Sequence, residues 1–478
     1  MTANAPARHD WLAFYVLCMG VLMIVLDTTI VNVALPSIKG DLGFSETALA
    51  WVVNAYMLTY GGFLLLAGRL GDLLGHRRVF LIGIAAFTLA SLACGLATSR
   101  GVLVAARAAQ GLGGAVVSAV ALSLIMDLFT AAGDRARAMG IYGFVCAGGG
   151  SIGVLLGGLL TSALSWHWIF LVNLPIGVAV ALATLQLVPG TRKPYEGRLD
   201  VAGAISVTLA LTLATYATVN GNEAGWTSPH TLGVLAAALA MGAIFIVVEM
   251  RVRAPLIPLG LFRHRNLSVA SLIGVLWCAA MFAWFFLSAL YMQQVLGYDP
   301  FRVGLAFLPA NLVMAACSVG LSARLVMRFG IRLPLAAGLT IAALGLALFA
   351  RAPLDGRFAV DVLPAMTLLG LGAGIAFNPV LLAAMGDVAP DQSGLASGVV
   401  NTAFMMGGAL GLAVLASLAA ARTGSLQASG SSALAALNGG YHLAFVAGAC
   451  FAAAAALAGA TALRAPPVAR EAALDAGE

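Results

Sequence analysis

The amino-acid sequence predicts an all-α polytopic membrane protein: fourteen spanning helices, arranged as two six-helix bundles with two helices inserted between them. Three observations carry this. Of 478 residues, 61% are hydrophobic and 9% charged, with a mean hydropathy of +1.00. A soluble domain carries about 25% charge, so this chain cannot cover a water-facing surface. Its apolar residues fall in runs long enough to cross a bilayer. Its second half repeats glycine and arginine positions of the first.

A spanning helix needs about 20 apolar residues. That rule places spans at 11–35, 48–69, 78–99, 101–127, 136–163, 166–188, 200–219, 231–251, 267–295, 301–323, 333–350, 361–383, 394–420 and 441–463. The first is too long for a signal peptide and carries Asp27, so it reads as a mature helix. The seventh and eighth are joined by the polar stretch Asn220-Gly221-Asn222-Glu223. Eighteen of the 25 Lys and Arg fall on the face of the termini, six on the other, and Arg107 alone lies inside a span. This bias predicts cytoplasmic termini and an even number of spans. The net charge of +6 is therefore an orientation signal and does not point to nucleic acid. The six cysteines all fall within spans without paired spacing and read as reduced apolar fillers.

The repeat appears in three places. Gly68-Arg69-Leu70, Gly75, Arg77 and Gly83 align with Ala323-Arg324-Leu325, Gly330, Arg332 and Gly338 at an offset of 255. Gly111-Leu112-Gly113 aligns with Gly370-Leu371-Gly372, and Gly140, Gly149, Gly150 and Gly153 with Gly398, Gly407, Gly408 and Gly411. Three matches in order at nearly one offset pair spans 1–6 with spans 9–14. The implied units are an N-terminal bundle over 1–190, inserted spans 7 and 8 with their linkers over 191–265, and a C-terminal bundle over 266–478. Two repeated bundles that rock about a midplane site are a common transporter plan.

Asp27 is the first functional candidate. A carboxyl group inside a spanning helix costs at least a few kcal/mol unless it is paired, watered or protonated. It lies about 12 Å from the outer end of span 1, and Arg107 lies about 9 Å from the same end of span 4. Opposite charges at similar depth suggest a proton-coupling pair, since separating them removes the counter-charge of the carboxylate. A static ion pair locking the two helices is the alternative. Gln110 shares the helix face of Arg107.

The loop Gly68-Arg69-Leu70-Gly71-Asp72-Leu73-Leu74-Gly75-His76-Arg77-Arg78 is short, cytoplasmic and dense in charge. Asp72 can pair with Arg77 or Arg78, and Asp127 is a second available acid. Together with Gly68 and Gly75 they read as a latch holding one conformation; ordinary positive-inside charge is the alternative. In span 5, Gly140, Gly149, Gly153, Gly157 and Gly158 make a close-packing face. Asn32, Gln110, Asn311, Asn378 and Asn401 are candidates for lining a substrate cavity, with hydrogen bonding between helices the alternative. His167 reads as an interfacial residue within an aromatic belt, and Glu249, near the end of span 8, can snorkel to the surface.

Other motifs do not fit their context. The stretch Gly148–Gly153 has the dinucleotide spacing but sits in mid-membrane with no preceding strand, and the sequon at Asn266 falls on the cytoplasmic face. Neither a Walker A motif, a metal-ligand cluster nor a nucleophile–base set stands out. The expectation is a transporter and not an enzyme, without cofactor, driven by a proton gradient.

The run Leu26-Asp27-Thr28-Thr29-Ile30-Val31-Asn32-Val33-Ala34-Leu35-Pro36 resembles the first-helix signature of the fourteen-span drug:proton antiporters of the major facilitator superfamily. The 68–78 loop resembles that superfamily's signature loop. Arg107 to Ala115 resembles its fourth-helix motif, and the span 5 glycines its antiporter motif. Further likenesses are Trp168-Ile169-Phe170-Leu171-Val172-Asn173-Leu174-Pro175-Ile176-Gly177 and the stretch Tyr291-Met292-Gln293 through Gly297 and Pro300. Two positions depart from the pattern: Val154 stands where the antiporter motif has proline, and Leu73 where the loop has a basic residue.

The resemblance implies a major facilitator fold and export of small hydrophobic or cationic compounds, drugs and antibiotics among them, in exchange for protons. It gives Asp27 and Arg107 coupling roles and Asp72, Arg77 and Asp127 a latch role. A monomer in a bacterial cytoplasmic membrane is expected. A proton-coupled importer on the same fold, or a non-transporting membrane sensor, is the alternative.

Overall fold

The computed structural model describes residues 8–129, 132–190, 199–388 and 392–464. Arg192, Lys193, Arg198 and Arg470, counted above toward orientation, lie outside the described residues, as do the outermost parts of both terminal units.

Within a bilayer every backbone polar group must be bonded internally, so a chain this apolar resolves into helices. They are α1 (Arg8–Leu42), α2 (Trp51–Leu74), α3 (His76–Gly95), α4 (Arg100–Leu128), α5 (Ala132–Ala163), α6 (Trp168–Leu187), α7 (Val201–Ala224), α8 (Pro229–Arg251), α9 (Arg265–Val295), α10 (300–329), α11 (Arg332–Phe349), α12 (Phe358–Met385), α13 (Ser393–Ala428) and α14 (Ala433–Ala462). Thirteen of these are long and apolar enough to cross a membrane unbroken. The other, α10, is continuous but interrupted: a π turn at Cys317–Leu321 joins Pro300–Ala316 to Ser322–Phe329. The chain is a multi-pass membrane protein, with thirteen candidate spans and the interrupted apolar helix α10 among the described residues.

Several starts are written locally. Ser99, Asp200, Ser228, Asp299 and Ser432 each accept a hydrogen bond from a backbone N–H of the first turn, the usual N-cap arrangement. Pro229 and Pro300 follow two of these caps, where the missing N–H costs nothing. Gly75 (φ 91°) and Gly330 (φ 73°), 255 positions apart in the repeat, end α2 and α10 in a conformation that a Cβ disfavours.

Several boundary expectations change; α13 runs past 420 to Ala428, and α14 starts at Ala433 ahead of 441. Hydropathy ends the first span at Leu35, but α1 runs through Pro36 to Leu42, because a helix outlasts the apolar layer. The polar stretch 220–223 is the last turn of α7; the connection turns at Gly225, φ 84°.

The packing repeats as the glycines do. Helix α1 packs on α5, α6 and α4, while α4 packs on α2 and α3, and α3 on α6. In the second half α9 packs on α13, α14 and α12, while α12 packs on α10 and α11, and α11 on α14. The halves meet along two seams related by the same repeat, α5 with α10 and α2 with α13. Helix α7 lies on the α2–α13 seam, and α8 packs on α7 with most of its surface outward.

Candidate functional site

The centre of the N-terminal bundle holds a closed polar cluster. Asp27 is fully buried and Arg107 is 1% exposed. Arg107 Nη1 donates to Asp27 Oδ2 at 2.5 Å and to Gln110 Oε1 at 2.6 Å, while its Nε donates to the Val52 carbonyl at 2.9 Å. Gln110 Nε2 donates to Asp27 Oδ1 at 2.7 Å and to Ser91 Oγ at 2.8 Å. Asn173 Nδ2 completes the carboxylate at 3.2 Å from Oδ1 and lies 3.4 Å from Ser91 Oγ. The guanidinium lies 4.4 Å from the Tyr56 ring centroid and 5.6 Å from that of Phe170. The cluster thus ties α1 to α4 and α6 directly, with α2 and α3 joined through Val52 and Ser91.

A buried charge is tolerated only when paired and hydrogen-bonded on its remaining lone pairs. Asp27 accepts three hydrogen bonds, two from neutral amides and one from the arginine. Both amides bond Oδ1 and the arginine bonds Oδ2, so the two kinds of partner take different oxygens. The site can therefore hold its geometry while its charge balance changes.

Glycines let the surrounding helices close on this cluster. A Cβ on Gly111 would sit 2.3 Å from the Tyr56 carbonyl oxygen, and one on Gly113 2.6 Å from Phe87 N. On α5, Gly149, Gly153 and Gly157 face Val25, Leu26 and Ile30 of α1, where added Cβ atoms would stand 2.9, 2.8 and 2.5 Å from the nearest atoms of those residues. Gly158 turns to α10, and its Cβ would lie 2.5 Å from the Pro300 carbonyl. Gly140 departs from the expected packing face: it meets nothing within 4 Å.

The 68–78 loop assembles differently from the sequence expectation. Asp72 faces His76 (3.1 Å), and the other ring nitrogen of His76 faces Asp127 (3.3 Å). Neither neighbouring arginine takes this place: Arg77 donates to the Leu185 carbonyl of α6 at 2.5 Å, and Arg78 is exposed. Asp72 at the end of α2 and His76 at the start of α3 meet across the Gly75 turn, while Arg77 reaches away to α6. A Cβ on Gly68 would lie 4.0 Å from Ala119 Cβ of α4, and Gly75 makes the turn.

The remaining polar candidates do not converge. Gln110 belongs to the Asp27 cluster. Asn32 donates to the Thr28 and Thr29 carbonyls of its own helix, near Pro36, whose ring leaves the helix ladder incomplete. Asn378 donates to the Ser318 carbonyl of α10 at 2.8 Å, and Asn401 to Ser397 one turn earlier. Asn311 is 1% exposed and neither side-chain atom has a hydrogen-bond partner. Glu249 does not snorkel: it is 4% exposed.

Sequence reasoning passed over Ser91, Asn173 and His76 as site residues. For Asn173 the signal was the polar residue within the apolar run Trp168–Gly177; for His76 it was the spacing from Asp72.

On the face opposite the termini, a cleft of about 600 Å³ opens among the α1–α2 connection, α9, α13 and α14. The Lys39–Glu46 ion pair and Gln294 lie at its wall, and Gln294 accepts a hydrogen bond from Tyr441 at 3.1 Å.

Residues 17–412 match the Major Facilitator Superfamily model. The chain belongs to that superfamily. It is 39% identical over 443 residues to the puromycin resistance protein pur8 of Streptomyces alboniger, covering 92% of this chain and 88% of that protein. It is 41% identical over 407 residues to the cephamycin export protein CmcT of Amycolatopsis lactamdurans, covering 84% of each. In fold it resembles a D-xylose-proton symporter, with a TM-score of 0.66 at 14% identity, over 96% of this chain and 99% of that one. Members of this superfamily carry solutes across membranes, and the two-bundle arrangement here is built for that.

Proposed function

We propose that this major facilitator protein exports small hydrophobic or amphipathic compounds, antibiotics or secondary metabolites among them, in exchange for protons. It does so as a monomer in a bacterial cytoplasmic membrane with both termini in the cytoplasm. Two relatives named for resistance or export, each matched over most of its length, support the direction of transport. The observation that carries proton coupling is the buried Asp27–Arg107 pair.

In the present arrangement Arg107 neutralises Asp27. Helix α4 carries the arginine and α1 the acid, so relative movement of the two helices lengthens the ion pair. A carboxylate left buried without its cation takes up a proton, because an unpaired charge in so apolar a place is costly. Gln110 and Asn173 keep the carboxyl oriented through the exchange. Return of Arg107 expels the proton. Seams made of glycine and backbone contacts let the bundles rock, while the cluster of Asp72, His76 and Asp127 holds one end of the cycle. The cleft beside Lys39 and Glu46 is on the outer side in this orientation and serves as the exit.

Membrane vesicles carrying the full chain test this reading. An imposed proton gradient should drive substrate out as protons enter, and Asp27→Asn should abolish that flux with protein levels unchanged. Co-directional movement of substrate and protons would assign an importer instead. Normal active transport by the Asp27→Asn protein would remove proton coupling from this residue.

A further inference from the structure

Two more buried acids lie outside the Asp27 cluster, on the inserted helices. Asp200 and Glu249 are 5% and 4% exposed. One oxygen of each is occupied: Asp200 Oδ1 accepts from Gly203 N at 2.7 Å, and Glu249 Oε2 accepts from Ile257 N at 3.1 Å. The other two, Asp200 Oδ2 and Glu249 Oε1, are buried without a hydrogen-bond partner. They point at the same spot. A Cβ on Gly203 would touch both, standing 2.4 Å from the first and 2.9 Å from the second, so the two oxygens line one small buried space.

Two ionised carboxylates at this range repel, and burial removes the water that would screen them. A single proton resolves both problems. It turns one carboxyl into a donor and gives the other oxygen its missing partner, as in acid pairs elsewhere. Among the described residues no cation takes that place. Arg251 and Arg253 are exposed, and Arg69 of α2 donates instead to the Pro255 carbonyl at 3.4 Å. Glycine at 203 leaves room for the two oxygens to meet.

We propose that Asp200 and Glu249 form a second protonation site, holding one shared proton between the start of α7 and the end of α8. Its position sets its role. Glu249 grips the backbone at Ile257, in the segment that leads into α9, and Arg69 grips the same segment at Pro255. The shared proton fastens the inserted helices to the junction between the two bundles. It does not lie on the Asp27 route.

Infrared difference spectroscopy on the full chain in lipid nanodiscs tests the assignment, in an Asp27→Asn background that removes the other buried acid. A protonated-carboxyl stretch that shifts in heavy water should be present at neutral pH and lost in both D200N and E249Q. In thermal unfolding, E249Q should stay within a few degrees of the parent, since its amide N–H replaces the shared proton, while E249A should fall well below it. A band that survives both D200N and E249Q would overturn the proposal. So would equal damage from E249Q and E249A, or a missing band together with a melting temperature raised by sodium or calcium, which would assign a cation site.

Discussion

The two bundles have one packing plan and opposite interiors. In the N-terminal bundle Arg107 and Gln110 sit one turn before Gly111 and reach Asp27. The repeat puts Met366 and Leu369 in their places before Gly370, both fully buried, and α9 carries no acid at all. Where the first bundle has an ion pair, the second has apolar and aromatic packing: Trp277, Trp284, Phe286 and Phe307 are all buried. The backbones differ as well. Among the described residues the π turns, at Tyr291–Val295, Cys317–Leu321 and Phe358–Val362, all fall in the second half. Such turns mark helices that bend or reshape a cavity. On the proposed reading the comparison teaches a division of labour: the charged bundle handles the proton, and the apolar one, with its π turns, shapes the space for substrate.

The largest effect expected from that division is at Asp27. Asp27→Asn keeps the size of the side chain and removes the charge, so active efflux should drop to background in vesicle flux while the protein still folds. Arg107→Ala should do more. It breaks a buried pair and leaves Gln110 Oε1 and the Val52 carbonyl without their arginine donor, which costs up to about 3–5 kcal/mol, and should lower the melting temperature in detergent as well as flux. If Arg107→Ala folds and pumps normally, the charged interior is not what distinguishes the bundles.

Met366→Ala probes the same repeat position in the apolar bundle. Large-to-small changes in a packed core cost about 2–5 kcal/mol, so stability should fall. The proton dependence of flux per folded molecule should not change. A changed proton stoichiometry in this variant would break the comparison from the other side.

The glycine seats ask whether packing is as symmetric as it looks. Gly153→Ala places a Cβ 2.8 Å from the Leu26 carbonyl, and Gly411→Ala places one 2.4 Å from Ala279 Cα. Overpacking typically costs about 1–3 kcal/mol. Both variants should lose stability to a similar degree, measured by thermal unfolding. A large difference would show that one bundle yields where the other does not.

Much of this was legible in the sequence because hydropathy and glycine spacing report on local geometry. Thirteen of the fourteen runs form helices long and apolar enough to cross, the other forms the interrupted α10, and the glycine offsets reappear as matching helix contacts. Asp27 and Arg107 could be paired because two charges at one depth in lipid have few other choices. What was not legible depends on which side chains meet across helices. Asn173 and Ser91 complete the Asp27 cluster from α6 and α3, at sequence separations that no periodicity encodes. Glu249 looks like a surface acid by its place near a helix end, and only the fold of α7 over it buries it. The π turns leave no hydropathy signature, since an extra residue in a turn does not alter composition.

The smallest effect is expected at the loop between α2 and α3, and it bears on how the two bundles communicate. His76 bridges Asp72 and Asp127 within the N-terminal bundle. Asp72 and Asp127 are about half exposed, and exposed pairs contribute about 0–1 kcal/mol. His76→Gln should therefore leave the melting temperature nearly unchanged. A free-energy difference of that size can still shift a balance between two conformations by up to about fivefold. The matching turn of the second bundle, at Gly330, has no acid in Ala323-Arg324-Leu325-Val326-Met327-Arg328-Phe329 to build such a bridge. A cross-link between a cysteine placed in the 68–78 loop and one near Ser393 should report the shift as a changed yield, in a background lacking the native cysteines. An equivalent change from Arg328→Gln would show that both bundles carry a latch. An effect confined to His76 would place conformational control, like the proton, in the first bundle alone.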